Sequence, residues 1–272
     1  VFTDYEHLLR LPGLDAVSIA TPRFLHYPMT MAAITAGKHV LCEKPLAMNA
    51  LEAREMLDSG ASAGLTTMVN HQMRFMPSRQ YLKRLVEEGF IGELRNVHIS
   101  LYMSRTQLNS RIMKWSSLHA EGGGFLTGHG SHFIDCIRHW FGEISGVSGR
   151  MFAQDKRRWD STKQQVVEAD TDDAFGCIFT LQNSAWGSIS GNLLTPFGSR
   201  SEVEVHGSDG VLELQRRQGN DLRGVTLFGA NVADDKDVHE ITIPNQYFSP
   251  SGSYDVVHDA FRSLVRMFQQ GI

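Results

Sequence analysis

The sequence has few cysteines, no long apolar run and no block of like charge. Its three cysteines, Cys42, Cys136 and Cys177, are odd in number and lack paired spacing, so a disulfide framework is not expected. This pattern predicts a protein of the reducing cytoplasm. No apolar run approaches the length of a membrane span. The formal net charge of −4 is spread along the chain, which argues against nucleic acid and anionic membranes as partners.

The first seventy residues alternate short apolar strands with helical segments. Strands are predicted at 16–20, 39–42 and 66–70, and helices at 24–36 and 49–63. Asn49 is a residue type that caps helix starts. Strand, helix and strand in that order form a right-handed parallel unit. These residues therefore predict the second half of a doubly wound, nucleotide-binding sheet.

A dinucleotide-binding fold opens with a strand, a Gly-x-Gly-x-x-Gly turn and an acidic residue about twenty positions on. The sequence has no such glycine-rich turn. We therefore expect the first half of this fold, roughly fifty residues, to precede Val1. On this expectation, residues 2–4 would end a third strand and 5–11 would form the helix after it. The helical pattern at 254–270 could likewise continue beyond the last residue.

The segment from Gly37 to Pro45 places an acid and a base where an apolar strand ends. Glu43 and Lys44 would lie at the carboxyl edge of the sheet, where ligands bind in such folds. A partly desolvated ammonium there could exchange a proton with a substrate hydroxyl. The alternative is an exposed lysine that only pairs with Glu43. Cys42 beside it is interpreted as a small buried strand residue rather than a nucleophile.

Residues 74–272 have a different pattern and predict a second domain after 1–73. A helix at 76–88, a strand at 96–103 and a helix at 129–140 come first. Short alternating segments follow at 174–181, 185–192, 201–206, 211–215 and 225–228. Gly, Asn and Asp turns separate them, which is typical of a mostly antiparallel sheet. We thus predict an α/β protein, with a partial Rossmann domain followed by an α+β domain that has a large open sheet.

His129, His132 and Asp135 stand at three-residue intervals on one predicted helix, so they share a face. Three interpretations remain open on spacing alone. The trio could bind a metal, although catalytic zinc usually gathers ligands from several elements. It could be a capped helix start with hydrogen-bonded imidazoles, or it could take part in catalysis.

Several motifs stand in order along the chain. They are Ala20-Thr21-Pro22 with His26, Ala36-Gly37-Lys38-His39-Val40, Glu43-Lys44-Pro45, Arg74-Phe75-Met76-Pro77, Gly89-Phe90-Ile91-Gly92-Glu93, Gly122-Gly123-Gly124, and Gly130-Ser131-His132 with Asp135. In this order and spacing the chain resembles the glucose-fructose oxidoreductase, inositol dehydrogenase and rhizopine-catabolism (Gfo/Idh/MocA) family over nearly its whole length. The resemblance implies an enzyme that transfers a hydride between NAD or NADP and a secondary alcohol of a sugar, polyol or related small molecule.

The resemblance also implies roles for particular residues. Lys44 and His132 would be catalytic: Lys44 would take the hydroxyl proton, and His132 would orient the hydroxyl or relay the proton. The cofactor would contact Ala20, Thr21, Pro22, His26, Glu43, Lys44 and Arg74. The substrate would contact Lys44, His129, His132 and Trp115, with His119 as a further candidate; Arg74, Trp115 and His119 could equally be packing or surface residues. No metal is expected, and a cis Lys44-Pro45 peptide and a homo-oligomer formed through the C-terminal sheet are implied.

One position departs from the family pattern. The residue four before the histidine is usually Asp in the sugar dehydrogenases and is Gly128 here. The departure removes a substrate-binding carboxylate. A non-catalytic sensor of sugars or nucleotides with the same fold therefore stands as the alternative to the enzyme, although the presence of both Lys44 and His132 favours the enzyme.

Overall fold

The computed structural model describes residues 1–104, 112–197, 199–217, 225–234, 236–248 and 256–272. The N-terminal part contains a three-stranded parallel sheet in the order β1-β2-β3. Its strands are β1 (Ala16–Ile19), β2 (His39–Cys42) and β3 (Thr67–Val69), and its helices are α1 (Tyr5–Leu9), α2 (His26–Thr35) and α3 (Ala50–Ser62). The predicted parallel unit is confirmed.

Local signals explain where these helices begin and end. Gly37 follows α2 with φ 69°, a left-handed conformation that glycine adopts without strain. Asn49 caps α3, because its side chain accepts a hydrogen bond from the Glu52 backbone N–H at 3.0 Å. The expected strand at 2–4 is wrong: Asp4 instead caps α1 by accepting from the Glu6 N–H at 2.8 Å.

The C-terminal part is built on an eight-stranded sheet in the order β13-β12-β11-β10-β4-β9-β8-β5. The strands are β4 (Leu94–Tyr102), β5 (Ile144–Phe152), β8 (Ala174–Leu181), β9 (Trp186–Asn192), β10 (Arg200–Gly207), β11 (Gly210–Arg217), β12 (Val225–Asn231) and β13 (His239–Glu240). A separate hairpin joins β6 (Arg157–Asp160) and β7 (Gln165–Glu168). All pairings in the large sheet are antiparallel except β4 with β9, which confirms the mostly antiparallel prediction.

Helices cover one face of this sheet and form the main core with it. They are α4 (Pro77–Glu87) and α5 (Ser131–Phe141). Leu82 of α4 and Ile137 of α5 are fully buried against strand residues such as Val205. The other face is open and includes the exposed side chains of Ile178 and Trp186. The packing of α5 on the large sheet places His132, in the first turn of this helix, on the side of the first sheet.

The last helix, α6 (Val256–Gln270), returns to the first sheet. Leu264 and Phe268 pack on Leu41 of β2 in a buried cluster. The predicted helix extended to 254, and its first two residues lie outside the described part of the chain. The expected domain boundary after residue 73 falls within the 3₁₀ turn Gln72–Phe75, between the two sheets, and stays a prediction. None of the described helices is both long and apolar enough to cross a membrane.

The sequence analysis missed β5 and the β6–β7 hairpin. Residues Ile144–Phe152 are almost all exposed, so they have no buried face to produce an alternating pattern. Glycines also interrupt the strand, and a Cβ at Gly149 would meet the Gly176 carbonyl oxygen at 2.7 Å. The strand forms by pairing with β8 rather than from its own propensity.

Candidate active site

Lys44 lies where β2 ends, as the sequence predicted. The strand continues one step past Cys42, because the Glu43 N–H donates to the Ile19 carbonyl of β1 at 2.9 Å. The Lys44 side chain then reaches the C-terminal part, where Nζ donates to the Gly128 carbonyl at 2.5 Å. Burial lowers the pKa of Lys44, and the nearby Glu43 carboxylate opposes this effect. The Lys44-Pro45 peptide is cis, as the resemblance implied.

Glu43 is held by a residue that sequence reasoning did not single out. Register places Val69 of β3 beside Cys42 of β2, so the next residues, Asn70 and Glu43, also meet. Asn70 Nδ2 donates to Glu43 Oε1 at 2.5 Å, and the Lys44 N–H donates to Glu43 Oε2 at 3.2 Å. The Glu43 carboxylate is thereby turned toward Asn70. Only the pairing of two strands reveals this contact.

The turn before α5 positions the Gly128 carbonyl. Gly122 and Gly124 have φ values of 83° and 127°, and a Cβ at Gly124 would collide with Asp172 Oδ1. The Asp172 carboxylate caps the turn by accepting from the Leu126 N–H at 2.8 Å. A π-helical turn at Leu126–Gly130 then leads into α5. Burial raises the pKa of the Asp172 carboxyl, while its backbone hydrogen bonds act to lower it.

Arg23 connects the two parts of the chain at this point. Its guanidinium donates to the carbonyl of Ala47 at 2.6 Å, of Met48 at 3.1 Å and of Gly122 at 3.3 Å. Burial lowers its pKa, against the effect of Glu52. The Arg23 side chain thus holds the segment after Pro45 against the triglycine turn. The sequence contains no signal that Arg23 makes these contacts, because it is a single basic residue within a predicted turn.

His132 is buried in the first turn of α5, with 7% of its surface exposed. Burial, reinforced by the positive charges of Lys44 and Arg79, lowers the pKa of His132 to about 2. The imidazole is therefore neutral at physiological pH. Its Nδ1 has no hydrogen-bond partner among the described residues. A neutral imidazole offers one donor and one acceptor nitrogen to a ligand.

The buried Asp135 forms an ion pair with the half-buried Arg74 behind His132. Arg74 donates to both oxygens of Asp135, from Nε at 2.6 Å and from Nη2 at 2.5 Å. His71, another residue that the sequence analysis missed, lies between this pair and the active site. Its Nδ1 is 3.8 Å from Asp135 Oδ2, and its ring contacts that of His132 edge-on at 6.0 Å. Burial lowers the pKa of His71, so this contact is not an ion pair at neutral pH.

Two cavities meet at Lys44. The first, which we call the basic cavity, has a volume of about 430 Å³ and lies between α4, α5 and the strand ends of the large sheet. It is lined by Lys44, Arg79, His129, His132, Arg200 and Arg216, with Met73, Met76, Leu101, Tyr102, Met103, Phe125, Phe133, Ser199, Ser201 and Val225. The second, the loop cavity, has about 370 Å³ and includes Lys44, Trp115, Gly128, His129, Arg158 and Asp172 among its lining residues.

The predicted substrate residues line these two cavities, with Lys44 and His129 in both, His132 in the basic cavity and Trp115 in the loop cavity. His119 lines neither; its backbone N–H donates to Asp170 at 2.6 Å. Arg74 lines a different cavity of about 800 Å³ behind the Asp135 pair, and its contact with the cofactor stays a prediction. Burial raises the pKa of the Cys42 thiol to about 12. The thiol therefore stays protonated and unreactive, as expected of a small buried strand residue.

The predicted cofactor residues cluster at the carboxyl ends of β1 and β2. His26 joins the two strand ends, with its ring nitrogens 2.9 Å from the Pro45 carbonyl oxygen and 3.0 Å from that of Thr21. Ala20, the residue after β1, is exposed. Thr21 Oγ1 has no partner among the described residues, although it is buried from solvent. An open strand end beside an unsatisfied hydroxyl fits a polar ligand at this edge.

The metal interpretation gains no support from the geometry. Asp135 is committed to Arg74, and in the described ranges no three His, Cys, Asp or Glu side chains are placed to share a metal ion. His129 and His132 instead face cavities that Lys44 also lines. Of the three residues with helical spacing, Asp135 therefore belongs to an ion pair, and His129 and His132 line the candidate active site.

Two family models match this chain. The oxidoreductase family model, described as an NAD-binding Rossmann fold, matches residues 1–71, and the Gfo/Idh/MocA C-terminal domain model matches residues 79–213. The chain belongs to this family. The predicted family is confirmed, and with it an oxidoreductase whose cofactor is a nicotinamide dinucleotide.

The relatives include enzymes named for sugar substrates. The 1,5-anhydro-D-fructose reductase of Ensifer adhaerens is 28% identical over 279 residues, covering 97% of this chain and 73% of the reductase. The 2,7-anhydro-N-acetylneuraminate hydratase of Escherichia coli is 34% identical over 131 residues, covering 48% of this chain and 34% of the hydratase. The crystal structure of an oxidoreductase domain protein from Kribbella flavida is 26% identical, with a TM-score of 0.84 over 99% of this chain and 75% of that chain. The chain thus spans only part of each relative.

Proposed function

We propose that the protein transfers a hydride between NAD or NADP and a secondary alcohol of a sugar, polyol or related small molecule. One observation carries the proposal. The Lys44 ammonium has a pKa lowered by burial and stands at the carboxyl end of β2, where two cavities meet near His132. A lysine of this kind is suited to exchange a proton with a hydroxyl.

The bound dinucleotide supplies the acceptor or donor of the hydride. In the direction of alcohol oxidation, the neutral form of Lys44 accepts the hydroxyl proton at Nζ, and in reduction the ammonium returns it. The Gly128 carbonyl holds Nζ toward the cavities through its hydrogen bond of 2.5 Å. His132 stays neutral and orients the hydroxyl through a ring nitrogen, which confines proton transfer to Lys44.

The dinucleotide would be held at the edge formed by Ala20, Thr21 and Pro22, which follow β1, and by Glu43 and Lys44, which follow β2. His26 supports this edge from behind, through its contacts with two carbonyl oxygens. Asn70 fixes the Glu43 carboxylate beside it. Trp115 and His129, on the opposite side of Lys44, would contact the sugar.

The sensor of the same fold remains the second candidate, because Gly128 provides no carboxylate beside Lys44. Lys44→Met in the full-length protein separates the two. In an enzyme, loss of the general base lowers kcat by about a hundredfold to ten-thousandfold while the Kd for NADH is preserved. Lys163→Met, on the exposed hairpin, is the matched control. Turnover of the Lys44 variant within a few-fold of the parent would remove Lys44 from the mechanism, and cofactor binding without turnover in the parent would favour the sensor.

The open face of the large sheet supports a homo-oligomer. Register places Ile178 of β8 opposite Ser188 of β9, so Ile178 and Trp186 point to the same face, and both are exposed. Adjacent exposed apolar side chains on a flat sheet favour association with a second copy. Sedimentation of the parent should show an oligomer that Ile178→Lys dissociates. A monomeric parent would contradict this proposal.

A reducing compartment, the cytoplasm, suits the three cysteines. All three are free, and Cys42 and Cys136 are buried. Burial raises the pKa of each of these thiols, which keeps them protonated and slow to oxidise. Fractionation of cells that express the tagged protein tests the location directly.

A further inference from the structure

The lining of the basic cavity is rich in cationic side chains. Lys44, Arg79, Arg200 and Arg216 line it, and no aspartate or glutamate among the described residues does so. The loop cavity differs, because Asp172 and Asp173 lie beside its basic residues. The two sides of Lys44 therefore differ, since the described charged side chains that line the basic cavity are all cationic and those that line the loop cavity have both signs.

Arg79 is the most unusual of these cations. It lies in the first turn of α4 and is only 7% exposed. Its guanidinium lies 4.7 Å from the Phe133 ring centre and donates to Cys136 Sγ at 3.2 Å. No described carboxylate lies within ion-pair distance of it. A buried cation costs free energy unless an anion or several hydrogen bonds compensate for its lost hydration.

Arg200 presents a second guanidinium to the same cavity. It begins β10, is exposed, and stacks 4.9 Å above the Tyr102 ring of β4. Stacking fixes the plane of the guanidinium and leaves its N–H edge available for an anion. The structure shows no ion pair between Arg200 and any described carboxylate.

Six arginines elsewhere in the described chain have carboxylate partners. The pairs are Arg10–Glu6, Arg74–Asp135, Arg84–Glu88, Arg138–Glu143, Arg157–Asp155 and Arg262–Asp259. Exposed pairs of this kind form readily and contribute little. Arg79 has no such partner among the described residues although it is buried in the lining of a concave site, where an anion would best compensate for its lost hydration.

We infer that the substrate is an anionic sugar derivative, whose carboxylate or phosphate is bound by the guanidinium groups of Arg79 and Arg200 while its reacting hydroxyl lies at Lys44 and His132. The inference rests on the proposed function and specifies the substrate class. The planar guanidinium fork matches two oxygens of either anion. One cavity spans from Lys44 to both arginines, so a single molecule can occupy both positions.

The position of the cavity separates this anion from the phosphates of the cofactor. The basic cavity is formed by α4, α5 and the C-terminal sheet, with Lys44 as its contact with the first sheet. Pyrophosphate in doubly wound folds lies instead at a glycine turn and helix start of the nucleotide-binding sheet. The positive charge also acts on the active site itself, because Lys44 and Arg79 both help to lower the pKa of His132.

The first test compares matched substrates with the full-length protein. D-glucose and D-sorbitol are assayed beside D-gluconate, D-glucuronate and D-glucose 6-phosphate, with NAD and NADP. We expect kcat/KM for at least one anionic compound to exceed that of its neutral counterpart by about a hundredfold, which corresponds to about 2.7 kcal/mol. Comparing kcat/KM for gluconate and glucuronate with that for glucose 6-phosphate shows whether the bound anion is a carboxylate or a phosphate. Equal or better turnover of the neutral compounds would overturn the inference and leave the proposed function intact.

The second test uses Arg200→Gln, with Arg95→Gln as control, since Arg95 is exposed on β4 and does not line the cavity. Arg200→Gln should raise KM for the anionic substrate tenfold to a hundredfold with kcat within a few-fold, whereas Arg95→Gln should leave both constants close to those of the parent. Arg79→Lys, which keeps the charge, should have a smaller effect than Arg79→Met. Because Arg79→Met could impair folding, the exposed Arg200 carries the test.

Calorimetry provides a readout independent of turnover. Gluconate and glucose 6-phosphate are titrated into the NADH-loaded protein, the parent and Arg200→Gln in parallel. Anion binding that depends on Arg200 would support the anion site even without turnover, and the absence of turnover would then count against the proposed enzyme alone. A tenfold change in the Kd for NADH caused by Arg200→Gln would assign the arginine to the cofactor and overturn the inference. Binding of neither anion would also overturn it.

Discussion

The hydrogen bond between Lys44 and the Gly128 carbonyl makes residue 128 a direct means of changing the charge beside the general base. A Cβ at Gly128 would meet no atom within 4 Å, and its φ is not in the left-handed region. Gly128 lines the loop cavity, as does Lys44. Gly128→Asp therefore introduces a carboxylate beside the ammonium with little steric cost, and Gly128→Asn introduces the same shape without the charge.

The size of the expected effect follows from the separation of the two groups. Nζ of Lys44 is 2.5 Å from the main-chain oxygen of residue 128. A carboxylate on that residue would lie within about 6 Å of Nζ, where an effective dielectric constant of about 20 gives an attraction of about 3 kcal/mol. This energy corresponds to a rise in the pKa of Lys44 of about 2. Oxidation needs the neutral amine, so the acid limb of the pH profile should move to higher pH by the same amount.

The assay is kcat/KM for alcohol oxidation measured from about pH 6 to 11, with the parent, Gly128→Asp and Gly128→Asn. We expect the aspartate to displace the acid limb upward by between one and three pH units, and the asparagine profile to match that of the parent. Identical profiles for the aspartate and asparagine variants would refute the reasoning, because the ionising group would then not be near residue 128.

Two further predictions concern stability. His132 is neutral when folded, with a pKa lowered to about 2, but takes up a proton below pH 6.5 when unfolded, so folding stability falls as pH decreases from 6.5. His132 alone should lower the free energy of unfolding by about 2 kcal/mol at pH 5. In urea unfolding at pH 7 and pH 5, His132→Gln should lose less of this free energy than the parent or the exposed control His119→Gln. An equal loss in all three proteins would contradict a buried neutral imidazole. Arg23→Ala should destabilise the protein by about 2–4 kcal/mol, because three carbonyl oxygens lose a charged donor. The exposed Arg54→Ala should change urea stability by less than about 0.5 kcal/mol, and similar values for both variants would show that Arg23 does not tie the two parts together.

The sequence allowed Lys44 and its strand to be predicted because the signals there are local. A glycine after the helix, an apolar run and a following proline fix where β2 ends, and that point defines the sheet edge. His132 was predicted from its motif, with Asp135 one turn further along the same face. The structure then separates these two residues, since Arg74 binds the carboxylate and leaves the imidazole to the cavity.

The residues that sequence reasoning missed act through contacts far apart in the chain. Asn70 reaches Glu43 only because β2 and β3 pair in one particular register. Arg79 has the sequence signature of a helix surface residue, and its burial depends on α5 packing over it. The partner of α6 was equally hidden, because its amphipathic pattern shows an apolar face but not that Leu41 covers it.

The site depends on two kinds of residue that can vary separately. Lys44 and the Gly128 carbonyl come from different parts of the chain, and Arg23 and Asp172 fix their meeting point through hydrogen bonds with backbone groups. The guanidinium groups of Arg79 and Arg200 belong instead to α4 and the large sheet, and among the described residues no hydrogen bond joins either of them to Arg23 or Asp172. A change of charge there should therefore alter which sugar binds without moving the general base. For this reason an effect on KM, with kcat retained, is the result that distinguishes an anion-binding arginine from one that supports the catalytic lysine.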